Sequence, residues 1–502
     1  MDAARADMGG FAAAPDARDR VRAARGPLAV RTSFAIALGV ICTVLPFAGE
    51  FAGTRAGGWL MVDFRAYYCA SLAQRQGRDP YFTASVHECE SDTPAPYYRA
   101  AKKVTVPAPY PPYALAFFAP LTFLPFAAAA ILWWITLALS LILAAYALAR
   151  IARQPMLVAW GALVLSLGLN SFWSGNVMPI ALAAIIVAAL AVRRGRLAIA
   201  VPALAIAMVE PQVALPAALG LFVAFSRVRV ALIIAAAVLG IISIASSGVA
   251  QTLSYLTAVA PAHALSEVSR DNQYSLATVL AALRVPDVSA VLAGSISYVV
   301  VSALGVLVAL RLARRFDDPS LTVLVPAAFS VLGGTFVHTG EIAVAIPACL
   351  LLFAQARTLR TWLFIAVILL IVPWMLATSA VMFLAPAFPV AYVAYTLSRG
   401  DRIATLGTVL ASTAMIAGLF ALYSVHYAPI AAHPHLYPPI DPRLAESSWR
   451  EFVLPNVTNR PVMWLLRLPT WAGLIIFAAC AALLAERGGA RVLVGESLAH
   501  ER

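Results

Sequence analysis

A carboxylate, a guanidinium and two phenols lie within six residues of each other in the stretch Asp63-Phe64-Arg65-Ala66-Tyr67-Tyr68. The stretch follows the first long apolar run, so it marks the point where the chain leaves a hydrophobic environment. A carboxylate at such a boundary can accept a proton from a substrate hydroxyl and act as a general base. Asp63 could equally cap a helix or pair with Arg65, and the residues alone leave these alternatives open.

Two further polar stretches interrupt apolar runs. Glu210-Pro211-Gln212 breaks one continuous apolar segment, and its polar side chains must be satisfied by water, protein or ligand. His338, in Val337-His338-Thr339-Gly340-Glu341, could neutralise a phosphate when protonated. A plain outward turn at Glu210 and a solvated loop histidine are the alternatives. Amides and hydroxyls suited to sugars occur at 171–176 and 271–273.

The composition indicates a membrane protein that crosses the bilayer many times. Of the 502 residues, 62% are hydrophobic and only 12% are charged, with a mean hydropathy of +0.84. A soluble domain is usually about 25% charged, so this chain has too few charged residues to cover a water-exposed surface. The net charge of +12 does not indicate nucleic-acid binding, because the arginines are spread between apolar runs and form no single patch.

The arginines also predict the topology. They fall in alternate short connections, at 150–153, 193–196, 227–229, 311–315, 357–360, 399–402 and 487–491. Cytoplasmic loops carry the excess of basic residues, so both termini are predicted to be cytoplasmic. The prediction is a tail at 1–32, one transmembrane domain at 33–486, a tail at 487–502, and outer loops at 52–112, 250–274 and 425–462.

These boundaries predict an all-α polytopic protein with about 12–14 transmembrane helices. The run 113–149 is too long for one crossing, and its prolines divide it into a re-entrant or interfacial helix at 113–124 and a crossing at 126–149. The first outer loop, rich in aromatic residues and proline, suits interfacial helices. Cys69 and Cys89 fall in this loop and could form a disulfide in an oxidising compartment.

Several of these stretches together resemble glycosyltransferase family 87. Asp63–Tyr68, followed by Gly77–Tyr81, is similar to the first outer loop of that family, and Tyr110-Pro111-Pro112 is similar to its next motif. Weaker similarities to later motifs of the family follow in the same order along the chain, as far as Thr335–Glu341. The resemblance covers roughly residues 35–400. At position 210 the family often has lysine, so Glu210 places a negative charge where the family has a positive one.

The resemblance implies a GT-C-type fold and an inverting enzyme that takes a sugar from a polyprenyl-phosphate donor at the outer leaflet. The best-known branch of the family consists of α-(1→2)-mannosyltransferases that use polyprenyl-phosphate mannose. Asp63 matches the family's catalytic base. The residues expected to bind substrate are Arg65, Tyr67, Tyr68, Arg78, Tyr81, Tyr110, Asn176, Glu210, Gln212, Asn272, Gln273, His338 and Glu341.

The predicted partners are the polyprenyl-phosphate sugar, a lipid or glycan acceptor and membrane lipids, but no nucleic acid. No cofactor or metal is demanded, because an inverting displacement needs one base, and the sequence has no zinc spacing or P-loop. The predicted location is the plasma (inner) membrane, with the active site on the outer, periplasmic face. A transporter or flippase of lipid-linked sugars is the alternative, although its polar groups should line a whole pore. A structural subunit of an envelope complex is a further alternative, and such a protein would need no acid at position 63.

Overall fold

A computed structural model describes most of the chain. The described residues are 61–92, 104–166, 171–172, 174–268, 273–372, 374, 387–424, 439–453 and 461–499. The predicted N-terminal tail, the first apolar span, Asn272 and much of the loop 425–462 lie outside them.

Helices make up nearly all of the described structure. In chain order they are α1 (Val62–Arg75), α2 (Thr83–Asp92), α3 (Pro112–Phe118), α4 (Phe126–Ala152), α5 (Met156–Ser166), α6 (Met178–Arg193), α7 (Leu197–Ala207), α8 (Pro211–Ala224), α9 (Arg229–Ser254), α10 (Ala260–Glu267), α11 (Leu276–Ala282), α12 (Asp287–Phe316), α13 (Leu321–Ser330), α14 (Ala345–Gln355), α15 (Arg360–Ile371), α16 (Ala387–Leu397), α17 (Arg402–Ser424), α18 (Ala445–Val453) and α19 (Pro461–Ala499). Over this part of the chain the only extended pairing is two isolated bridges, Phe82–Leu444 and Gln273–His338.

Five helical segments of the described chain are long and apolar enough to cross a bilayer. They are Phe126–Ala152, Ser226–Glu267, Asp287–Phe316, Arg402–Leu422 and Trp464–Glu486. A crossing requires about 20 residues, because a helix rises 1.5 Å per residue through a hydrocarbon core of about 30 Å. The all-helical, multi-pass membrane architecture predicted from composition is therefore confirmed.

Shorter helices form the buried interior. All ten residues of α13 are buried, and Ala345–Phe353 of α14 are buried as well. Glycines allow close contact between backbones: a β-carbon at Gly220 would lie 2.0 Å from the carbonyl oxygen of Thr322. Small residues at such crossings let membrane helices pack without a gap. The long helices surround this interior with exposed leucine, isoleucine and valine side chains.

Breaks in the helices occur where the sequence contains proline or glycine. Pro125 lies between a short 3₁₀ helix and α4. This confirms that the run 113–149 is divided there, as predicted. The segment Ser226–Glu267 contains a non-helical residue at Gly248 (φ 82°) and a π-helical turn at Tyr255–Val259 before α10 begins. Residues 250–267, predicted as part of an outer polar loop, are therefore largely helical.

Two distant segments of the chain meet around α1. A disulfide joins Cys69 of α1 to Cys89 of α2, which decides the question that the sequence left open. The segment 439–453 lies across the same region, where Ala445 N donates to Tyr81 O at 2.9 Å and Thr83 N donates to Arg443 O at 2.8 Å. This packing encloses one side of a polar cavity.

Candidate active site

A cavity of about 260 Å³ brings the three predicted polar stretches together. Its wall comes from the start of α1, the extended residues 104–111, residues 171 and 174–178, the residues around the start of α8, and the segment 336–341. Helix α10 and one side chain of α18 complete it. Residues as far apart in the chain as Asp63 and Trp449 thus face one cavity.

Asp63 lies in the first turn of α1, and two donors hold its carboxylate. Ser174 Oγ donates to Asp63 Oδ2 at 2.7 Å, and Asn176 Nδ2 donates to the same oxygen at 3.1 Å. The amide orientation of Asn176 is fixed because its Oδ1 accepts a hydrogen bond from Met178 N at 2.9 Å. Hydrogen bonds from such donors stabilise the ionised form of a carboxylate.

The backbone between these two donors adopts a conformation suited to glycine. Gly175 has φ +75°, and a β-carbon there would lie 2.7 Å from Phe64 Cβ. The indole of Trp133 donates from Nε1 to the Gly175 carbonyl at 2.7 Å, inside the protein. The segment is therefore fixed both by its conformation and by a buried hydrogen bond.

A pair of phenols connects this end of the cavity to Glu210. The hydroxyls of Tyr67 and Tyr110 are 3.2 Å apart, and Tyr110 donates to Glu210 Oε1 at 2.7 Å. Burial, followed by the neighbouring carboxylates, raises the pKa of both phenols well above the usual value. Both tyrosines therefore stay protonated and act only as hydrogen-bonding groups.

Glu210 is buried next to a second acid. Burial and then the charge of Glu341 raise the pKa of Glu210 to about 8, although hydrogen bonds from Tyr110 and Gln212 oppose the shift. The amide of Gln212 links the two acids, because its Nε2 donates to Glu210 Oε2 at 2.5 Å and to Glu341 Oε1 at 3.3 Å. Burial beside a second acid therefore disfavours the ionised form of Glu210.

His338 lies between two carboxylates. Its Nε2 is 3.1 Å from Glu267 Oε2, and its Nδ1 is 3.2 Å from Glu341 Oε1. Both contacts are hydrogen bonds only if both ring nitrogens carry a proton. Burial would lower the pKa of His338, but the two carboxylates outweigh it and raise that pKa to about 10. The two carboxylates therefore favour the protonated ring, whereas Gln273 Nε2, an amide donor 2.8 Å from His338 Nε2, opposes it.

The acid that pairs with His338, Glu267, was missed by sequence reasoning. It is 1% exposed, and Gln273 Nε2 and Trp449 Nε1 also donate to its carboxylate, at 3.1 and 2.9 Å. An acid near the end of a long apolar segment is a signal that could have drawn attention to it. Trp449 lies 182 residues after Glu267, and no local feature of the sequence predicts that it contacts this acid.

The predicted site residues divide into two groups. Those that line the cavity are Asp63, Tyr67, Tyr110, Asn176, Glu210, Gln212, His338 and Glu341. Gln273 lies behind the wall, where it contacts both Glu267 and His338. Asn272 falls outside the described residues.

Four further predicted residues do not reach the cavity wall. Arg65 is buried, 3.9 Å from Glu90, and the Tyr68 hydroxyl donates to the Leu124 carbonyl. Arg78 hydrogen-bonds the neighbouring side chain of Gln76 at the surface. The hydroxyl of Tyr81 donates to the Tyr110 carbonyl at 2.8 Å, so it supports a cavity residue from behind. Their positions do not support direct contact with substrate.

Acidic groups dominate the cavity. Its described lining includes Asp63, Glu210, Glu267 and Glu341 but no lysine or arginine. Two histidines, His263 and His338, also line it, and His338 is the one whose ring two carboxylates contact. Among the described residues, no group of three or more metal-ligating side chains is arranged to hold a metal ion. A negatively charged substrate group would therefore meet His338 and the neutral donors around it.

Comparison with known families identifies part of the chain. Residues 109–339 match the model of glycosyltransferase family 87. The chain carries a glycosyltransferase family 87 domain. Family 87 is a GT-C membrane family, so the resemblance and the fold class expected from the sequence are confirmed. No curated protein and no solved structure was found to match the chain.

The matched range covers only part of the cavity wall. Tyr110, Glu210 and His338 lie inside it, whereas Asp63 and Trp449 lie outside. The cavity therefore combines the stretch that matches family 87 with segments that precede and follow it.

Proposed function

We propose that this membrane glycosyltransferase transfers a sugar from a polyprenyl-phosphate donor to a lipid or glycan acceptor, with inversion at the anomeric carbon. The observation that carries the proposal is a hydrogen-bonded carboxylate, Asp63, in the wall of the same cavity as His338, whose ring two carboxylates flank. A base and a cation in one enclosed space match the two needs of the reaction, which are to remove a proton and to stabilise a departing phosphate.

The proposed reaction is a single displacement. Asp63 accepts the proton of the acceptor hydroxyl while the acceptor oxygen forms a bond to the anomeric carbon. The bond between that carbon and the phosphate oxygen breaks, and the electron pair leaves with the polyprenyl phosphate. One carboxylate is sufficient because no covalent intermediate with the enzyme forms.

The donors on Asp63 suit this role. Ser174 and Asn176 both contact Oδ2, so they orient the carboxylate. Orientation matters because a base must lie within hydrogen-bonding reach of the proton that it removes.

His338 is the proposed partner of the donor phosphate. Glu210, where the family often has lysine, adds little negative charge near neutral pH because burial raises its pKa to about 8. This reduces the repulsion that an acidic cavity would otherwise impose on a phosphate. Arg65 and Arg78 lie away from the cavity wall, so the basic side chains of the described lining are His263 and His338. We assign the phosphate to His338 because Glu267 and Glu341 flank its ring.

The proposed location is the plasma membrane, with both termini in the cytoplasm and the cavity on the outer face. The alternate placement of arginines along the chain supports this topology. A lipid-linked donor presents its phosphate at headgroup level, where an interfacial cavity can receive it. The proposal requires no metal ion.

A substitution at Asp63 tests the base. Asp63→Asn keeps the shape of the side chain but removes its basicity, so sugar transfer in membranes should fall by about 10²–10⁴-fold. Asp79→Asn is the matched control, because Asp79 lies nearby and contacts Tyr81 N instead of the cavity. If Asp63→Asn transferred sugar at the wild-type rate, the assignment of Asp63 as the base would be wrong.

A further inference from the structure

We infer that Glu267 and Trp449 are positioning residues that hold His338 oriented and protonated toward the donor phosphate. The inference rests on the proposed function, because it concerns the residue that we assign to that phosphate. It makes the segment 439–453, which lies outside the family 87 match, an integral part of the site.

Three donors from three separate segments converge on Glu267. Trp449 Nε1 donates to Oε1, while His338 Nε2 and Gln273 Nε2 donate to Oε2. The carboxylate is 1% exposed, so water contributes little to its solvation. A buried carboxylate depends on such donors to remain ionised, and their directions fix its plane. Glu267 thereby fixes the imidazole that it contacts.

Gln273 reinforces this arrangement. Its Oε1 accepts a hydrogen bond from Val337 N at 2.8 Å, which directs its Nε2 toward Glu267. Tyr274 N also donates to the Val337 carbonyl, so the backbones of the two segments are joined beside His338. The histidine therefore sits on a rigid backbone, and its ring orientation depends on the two flanking acids.

Backbone contacts hold Trp449 in place. The segment 439–453 is joined to the first outer region by Ala445 N to Tyr81 O and by Thr83 N to Arg443 O. Thr105 N donates to Ser448 Oγ at 3.2 Å, next to the tryptophan. The indole is 5% exposed and lines the cavity, so its N–H points to Glu267 from a fixed support.

The charges around His338 come from three elements. Glu267 lies on α10, Glu341 begins the turn before α14, and Glu210 precedes α8. Glu267 and Glu341 contact the ring directly, whereas Glu210 acts at longer range. Replacing Glu267 removes one of the two contacting carboxylates while Glu341 remains.

Histidine NMR measures this effect directly. The full-length chain, labelled with ¹⁵N-histidine in detergent micelles, has seven histidines, and the His338 signals are identified by their absence from His338→Gln. In Glu267→Gln the titration midpoint of His338 should fall by at least about one pH unit, or about tenfold in proton affinity. Glu446→Gln is the control, because it removes another buried acid, from α18, and should leave the midpoint unchanged. An unchanged midpoint in Glu267→Gln would overturn the inference.

Binding of farnesyl phosphate, a short polyprenyl phosphate, tests the role of Trp449. Trp449→Phe keeps an aromatic ring but removes the N–H, and at pH 7 it should weaken binding by roughly three- to tenfold. Trp471→Phe is the matched control, since that indole donates to the Tyr274 carbonyl and not to Glu267. Equal weakening in both variants would show a general loss of packing and overturn the role of Trp449.

The two measurements separate this inference from the proposed function. The NMR midpoint reports the link between Glu267 and His338 whether or not the chain transfers sugar. A lowered midpoint in Glu267→Gln, together with no binding of farnesyl phosphate by the wild type, would refute the donor assignment alone. Farnesyl phosphate binding that Glu267→Gln leaves unaffected would refute the positioning role alone.

Discussion

Replacing Gly175 with alanine should impair sugar transfer although it touches no catalytic group. The residue separates Ser174 from Asn176, the two donors to Asp63. Its φ of +75° is unfavourable for alanine, and the added β-carbon would lie 2.7 Å from Phe64 Cβ and 3.0 Å from Met61 Sδ. Phe64 is fully buried, so it has little freedom to move away.

The size of the effect follows from two costs. A left-handed conformation costs a non-glycine residue roughly 1–2 kcal/mol. Overpacking a filled interior adds about 1–3 kcal/mol. A displaced segment would relieve both costs but would lose hydrogen bonds to Asp63, each worth about 1.5–3 kcal/mol for a charged acceptor. Loss of one such bond predicts a decrease in transfer rate of roughly 10- to 100-fold.

Gly195→Ala provides the matched control. Gly195 has φ +70°, but a β-carbon there would meet nothing within 4 Å, and the residue lies between α6 and α7. It therefore carries the backbone cost without the collision or the link to Asp63. Both variants are measured for thermal unfolding and for transfer of radiolabelled sugar into membrane lipid. If Gly175→Ala retained wild-type transfer, or if Gly195→Ala lost as much, the segment would not position Asp63.

Two further predictions concern stability. Replacing both Cys69 and Cys89 with serine should destabilise the region of α1 and α2 by about 3 kcal/mol, the loop-closure value for a separation of 20 residues, and limited proteolysis should detect earlier cleavage there; unchanged cleavage would contradict this. Glu210→Gln should reduce the loss of stability with rising pH. The unfolded carboxyl ionises near its usual pKa of 4.5 and the folded one only near 8, so wild-type stability falls between these values, on the order of 1 kcal/mol per pH unit. Parallel melting-temperature curves for wild type and variant from pH 5 to pH 8.5 would contradict the assignment.

The fold was largely predictable because apolar segments and their interruptions are local signals. Pro125 divides one long apolar run, and Glu210 divides another. The structure also separates helices at both positions. The segment 250–267 was harder to predict, because a polar composition does not distinguish a loop from a helix that continues through a π-helical turn.

The cavity was predictable only in part. Tyr67 lies four residues after Asp63, so one helix face presents both side chains, and both line the cavity. Arg65 lies two residues after Asp63, on a different face, where it pairs with Glu90. Arg65 was therefore predicted because it is close to Asp63 in sequence. In a helix, however, residues two positions apart point in different directions.

The contact between Glu267 and Trp449 could not be predicted from the sequence. It joins residues 182 positions apart, and neither lies in a recognisable motif. Their pairing depends on how the segment 439–453 crosses α1 and α2, which is a property of tertiary packing. Sequence reasoning thus predicted Asp63, His338 and Glu341, which all line the cavity, but not Glu267 and Trp449.

Mass spectrometry of lipids bound to the purified protein tests the central claim most directly. Asp63→Asn should retain its donor because transfer is blocked, so it should co-purify with an intact polyprenyl-phosphate sugar. Combining it with His338→Ala should release that lipid, because the phosphate loses the cation in the cavity wall. The single variant should therefore carry a polyprenyl-phosphate sugar, and the double variant should carry much less. Equal amounts of lipid-linked sugar in both variants, or a nucleotide sugar in their place, would contradict it.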